Sequence, residues 1–137
     1  MAIIEYSYQR ATQEQLEKCI RWCQNQFQLR DWIVLLCTDN RPPGRFVGDD
    51  GVKTNFGRSW VSVDLTRIDM WVNIDFIKKE NANPYSTTIH EMLHVLALER
   101  ADDVPEQFIM VLEPLFYRLY CQENGLKIAA EKEPTFE

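Results

Sequence analysis

The chain has 137 residues and a mass of 16.2 kDa, which is about one domain. Its 45% hydrophobic and 26% charged residues are the balance of an ordinary globular domain. This excludes a mainly disordered chain and a collagen-like repeat. It also excludes a membrane protein, because no apolar run, residues 33–37 and 95–98 included, approaches the ~20 residues a spanning helix needs.

The net charge of −6 is unevenly spread. Residues 1–85 hold 11 acids and 11 bases, whereas residues 86–137 hold 10 acids and 4 bases. No basic stripe is visible, so neither a nucleic acid nor a membrane is expected as a partner. The opening MAIIEYSYQR lacks a basic start, so no signal peptide is expected and the cytoplasm is the expected compartment. There, Cys19, Cys23, Cys37 and Cys121 are expected to be reduced thiols.

In chain order, Thr12 and Gln15 fit a capping box. Leu16, Cys19, Ile20, Cys23 and Phe27 then keep helical period, which predicts a helix over residues 12–29. Residues 32–38 are continuously apolar and read as a buried central strand. The Pro-, Gly- and Asp-rich segment 39–51 reads as loop. Residues 58–65 and 68–75 both alternate apolar with polar, and a short turn at Thr66 and Arg67 joins them, so they read as an antiparallel hairpin. Pro84 and Ser86 start a helix reaching about Arg100. A last helix runs over residues 105–122, kinked at Pro114 and stopped by Gly125. Residues 128–137 read as a frayed tail. The expectation is a single α+β domain over residues 1–137, with a three-stranded, largely antiparallel sheet.

The chemistry lies in the fifth element, the helix that Pro84 and Ser86 start. Residues 90–94 read HEMLH, which is H-E-x-x-H, and His90 and His94 are the only two histidines in the chain. Four residues apart on a helix, both imidazoles project from one face and can reach one zinc ion at ~2.0–2.1 Å. Glu91 is swung away from that face. It is too far to ligate, but close enough to take a proton from a water on the metal.

A catalytic zinc takes three protein ligands and keeps a fourth position open. With no third histidine, the candidates are Glu106, at the start of the next helix, and Asp102 and Asp103 in the preceding turn. Glu106 also fits a capping box closed by Asp103. Glu113, one heptad on, reads as too far along. A group must also stabilise the oxyanion. Tyr117 shares a helix face with Glu106 and is the candidate, with Tyr85 and Tyr120 as alternatives. The sheet edge at residues 58–64 or 70–75 could pair with an extended peptide, so the expected partner is a peptide or protein substrate.

The segment TTIHEMLHVLALERADDVPEQFIMVLEPLFYRLY resembles the active-site helix and following helix of compact zinc metallopeptidases of the zincin class. It is similar to small phage- and prophage-encoded metallopeptidases. The likeness covers roughly residues 30–122 and is specific at residues 90–94. It implies a minimal gluzincin-like core with zinc as cofactor: His90, His94 and Glu106 as ligands, and Glu91 as general base. One departure stands out. Gluzincins often carry an aspartate four residues after the ligand glutamate, to orient a motif histidine, and Met110 occupies that position here. The alternative expectation is a non-catalytic module, zinc-binding or metal-free, that serves as an accessory protein on a metallopeptidase-like fold.

Overall fold

The computed structural model describes residues 2–40, 55–61, 66–100, 106–133 and 135–136. The elements are β1 (Ala2–Ile3), α1 (Gln13–Gln26), β2 (Ile33–Cys37), β3 (Gly57–Val61), β4 (Arg67–Val72), α2 (Ile74–Lys79), α3 (Pro84–Arg100), α4 (Glu106–Asn124) and β5 (Thr135–Phe136). Four helices beside a three-stranded sheet make the fold α+β, as expected. No helix among the described residues is long and apolar enough to cross a membrane.

Local chemistry sets the helix starts. The Thr12 hydroxyl accepts from the Gln15 N–H, and the Gln15 side chain accepts from the Thr12 N–H, so the capping box forms on both sides. The stripe of Leu16, Cys19, Ile20 and Cys23 is fully buried. At α3, the Asn83 side chain accepts from the backbone N–H groups of Tyr85 and Ser86. Pro84 occupies the first helical position, where its missing N–H costs nothing. Helix α3 is packed between α1 and α4 and lies against the sheet.

The sheet differs from its expected form in two ways. Its order is β2-β4-β3, with β3 antiparallel to β4 and β2 parallel to it, so the sheet is mixed rather than largely antiparallel. Strand β2 is an edge strand, not the centre. Its Ile33 and Leu35 are 59% and 47% exposed, while Val34 and Leu36 pack against the core. Continuous apolarity had suggested burial on both faces. The centre belongs to β4, where Ile68, Met70 and Val72 are buried on one face and Trp71 on the other.

The hairpin of β3 and β4 is present, with Val61 opposite Ile68. Arg67 belongs to β4, opposite Ile33, and not to the turn. The second strand ends at Val72 rather than Asp75. Asn73 accepts from the Phe76 N–H and starts α2, so Ile74 and Ile77 follow helical and not strand spacing. Residues 41–54 and 62–65, and with them most of the expected loop and the end of the expected first hairpin strand, lie outside the described residues.

The expected frayed tail is paired. β5 runs antiparallel to β1, the Ser7 N–H donates to the Ala130 carbonyl, and the Lys132 N–H donates to the Glu5 carbonyl. The reason is a mutual need: two short extended segments satisfy each other's backbone groups. Polar composition alone did not show this.

Candidate metal centre

Antiparallel packing of α4 on α3 brings the expected ligands together. The His90 Nε2 lies 2.7 Å from the Glu106 Oε1, and the His94 Nε2 lies 3.0 Å from the Glu106 Oε2. The two Nε2 atoms are 3.2 Å apart. These three residues form a group whose donor atoms all fall within 4.8 Å of one another. Zinc bonds of ~2.0–2.1 Å in tetrahedral geometry place ligand atoms roughly 3.3–3.4 Å apart. The two Nε2 atoms stand close to that spacing, and the Glu106 carboxylate closes the triangle by facing one oxygen to each of them, so the donor set fits a metal ion. Glu106 remains 51% exposed, which leaves one side of the triangle open to solvent. Asp102 and Asp103, the alternative third ligands, lie outside the described residues, as does the capping contact of Asp103.

The orientation of His90 comes from a residue that helix spacing had discounted. Glu113 Oε1 lies 2.9 Å from the His90 Nδ1. An ionised carboxylate can only accept, so Nδ1 carries a proton, and Nε2 is the nitrogen left to bind a metal ion once its own proton is displaced. Glu113 thus makes the contact to His90 that the gluzincin resemblance leads us to expect from position 110. It reaches His90 because α4 runs back along α3. Glu106 meets both histidines, and Glu113, two turns later, meets the ring nitrogen nearer the start of α3. Burial raises the Glu113 carboxyl above its usual range, and the bond from His90 opposes that rise.

Glu91 is buried and accepts a hydrogen bond from the Ser59 hydroxyl at 2.9 Å. Burial raises its pKa, while Ser59 and the two histidines pull it down. A raised carboxyl suits proton uptake near neutral pH. Ser59 carried no motif that could have revealed it. Gly57 makes its approach possible. A Cβ there would stand 2.8 Å from the Trp71 carbonyl oxygen of β4 and 3.3 Å from the Thr87 side chain of α3, so glycine lets β3 sit against β4 here while it meets α3.

Tyr117 does not join the centre. It does share the helix face of Glu106, but eleven residues at 1.5 Å rise put it roughly 16 Å along the axis. It is fully buried, and its hydroxyl donates to the Gln9 Oε1 at 2.5 Å and accepts from the Ala129 N–H at 2.9 Å. The hydroxyl also lies 3.4 Å from the Asn83 Nδ2. It ties the N-terminal segment, the start of α3 and the chain after α4 together. Tyr117→Phe is therefore expected to lower stability by about 1–3 kcal/mol by orphaning buried partners. Activity per folded molecule should be unchanged. Denaturant unfolding beside an active-fraction assay checks both, and a lost turnover at full folding would return Tyr117 to the site. Tyr85 and Tyr120 are likewise buried, with ring centroids 5.9 Å apart. None of the three tyrosines lines either cavity beside the motif.

The fold is thus α+β, and its centre is a group of two histidines and a glutamate able to hold a metal ion, with a second carboxylate beside it. No protein-family model matches the chain, and no curated protein or solved structure matches it. The likeness to zincins therefore rests on the motif and on the helix that follows it.

Proposed function

We propose that the protein is a zinc-dependent metallopeptidase. The observation that carries this reading is the convergence of His90, His94 and Glu106, with the Glu91 carboxylate held beside them by Ser59. Two imidazoles and one carboxylate suit zinc or iron(II). A buried carboxylate with a raised pKa next to the triangle is what hydrolysis needs, and it favours zinc. Held by these three residues, zinc supplies Lewis acidity, acidifying a water and polarising a scissile carbonyl.

The chain's own residues do the rest. Glu91 takes a proton from the attacking water and delivers it to the leaving amine, so that one peptide bond and one water become an acid and an amine. Ser59 keeps the Glu91 carboxylate aimed. Glu113 holds a proton on the His90 Nδ1 and so directs Nε2 toward the metal position. Strand β3 is an edge of the sheet among the described residues, and Gly57, Arg58 and Ser59 line the cleft that also holds His94 and Glu106. An extended peptide can lie along this edge, with Asn55 and Arg58 offering donors to its carbonyl oxygens. The other edge expected for this role, residues 70–75, is excluded because β4 is central. Glu113 also supplies, from another position, the carboxylate that the resemblance leads us to expect at Met110, which supports the catalytic reading over the non-catalytic module.

The deciding experiment is the metal content of protein purified without a chelator or metal column. About one zinc per chain is expected by elemental analysis, with His94→Ala reducing it to background. A metal-free protein that does not take up zinc on reconstitution would overturn the reading.

A further inference from the structure

His90 and Glu91 line two cavities. One is the cleft described above. The other, about 450 Å³, lies toward the start of α3, and its size is that of a small-ligand pocket. Its floor continues the α3 face through Ser86 and Thr87, and its walls come from α4 and the two terminal segments. The two cavities share Asn55, Gly57, His90 and Glu91, so a peptide lying along β3 at the metal centre has a side chain within reach of the second cavity.

The lining of the cavity has a definite character. Glu113 sits inside it, and Glu5 and Glu80 stand exposed at its rim, against Lys132 as the one cation in the wall. The two charges of a divalent ion offset Glu91 and Glu106, so the cavity stays net negative after metal binding. Tyr6, Phe56 and Met110 add apolar surface between the carboxylates. A long aliphatic stem ending in a cation matches each of these features. A carboxylate side chain meets repulsion, and a purely apolar one leaves the acids without a counter-charge.

We propose that this cavity is a substrate subsite for a lysine or arginine side chain next to the scissile bond. This rests on the peptidase reading and specifies the substrate class of the same site. The test is a binding measurement on the zinc-loaded Glu91→Gln protein, which cannot turn substrate over. N-acetylated alanine peptides carry one lysine, moved through each position, and are compared with peptides carrying norleucine, which has the same stem without the charge. Fluorescence anisotropy is expected to show one position at which lysine binds about tenfold more tightly. Raising the salt concentration should shrink that preference. Glu5→Gln combined with Glu80→Gln should reduce it to less than about threefold. Both side chains are exposed, so the double variant keeps its fold. Equal binding of lysine and norleucine at every position overturns the subsite and leaves the peptidase reading standing. Binding of neither peptide overturns both. Tighter binding that requires a free amino terminus, seen on omitting the acetyl group, reassigns the cavity to the peptide's own ammonium and overturns the side-chain proposal.

Discussion

Glu91→Gln is expected to leave the zinc content of the protein unchanged and to lower turnover of any peptide substrate by about 10²–10⁴-fold. The two halves of this expectation come from different parts of the geometry. Metal retention follows because the donor triangle is made by His90, His94 and Glu106, and Glu91 is not part of it. Loss of turnover follows because glutamine has the same shape but cannot take up a proton. The Ser59 hydroxyl can still donate to the amide oxygen, so the side chain stays in place. Replacing a buried carboxylate whose pKa is raised by burial also removes a charge that the fold holds at a cost. Stability should therefore hold or rise slightly. Elemental analysis, thermal unfolding and a steady-state assay on one preparation check all three. A variant with full zinc and near-native turnover would remove Glu91 from the base role. A variant that loses zinc would mean that Glu91 helps to hold the metal.

The second large effect is on the pH dependence of metal binding. In the metal-free protein, burial lowers the basicity of His90. The hydrogen bond and charge of Glu113, with Glu91 and Glu106 behind it, outweigh burial and raise the pKa from 6.5 to about 9. A raised histidine pKa stabilises the metal-free fold fully below about pH 6.5, and that contribution is lost as the pH rises through about 9. A metal ion must displace the same proton. Zinc affinity is therefore expected to fall about tenfold per pH unit below pH 9, and by roughly 300-fold on reaching pH 6.5. Glu113→Gln keeps an acceptor for the Nδ1–H but removes the charge. The decline in that variant should begin nearer the ordinary histidine range, leaving affinity almost flat above about pH 7. Competition with a chromogenic chelator over this range reads the slope directly. Identical profiles for the native and Glu113→Gln proteins would show that Glu113 does not govern His90.

The two effects depend on different kinds of information. Glu91 is legible in the sequence because the role proposed for it follows from its place in a five-residue stretch of helix. Glu113 was visible as a residue on the right face, yet helix periodicity could not say how far along α3 its partner helix would cross. Ser59 and Gly57 belong to a strand 30 residues before the motif. Only the sheet's approach to α3 gives them a role.

What the sequence alone determined is whatever local physics decides. A capping box needs four residues, so α1 begins where Thr12 and Gln15 place it. A two-histidine face needs one helical turn, so His90 and His94 converge wherever α3 is helical. Glu106 follows from a short connection and an antiparallel neighbour. Tertiary structure decided what depends on which surfaces cover one another. The apolar run of β2 became an edge strand because β4 has apolar side chains on both faces and took the centre. Tyr117 became a tie between the chain ends because its hydroxyl, buried far along α4, found Gln9 and Ala129. The polar tail became ordered because β1 offered its backbone a partner. Apart from the Ala129 bond, 12 positions from Tyr117, these outcomes rest on pairings between residues 34 to more than 100 positions apart, and no local pattern encodes such distances.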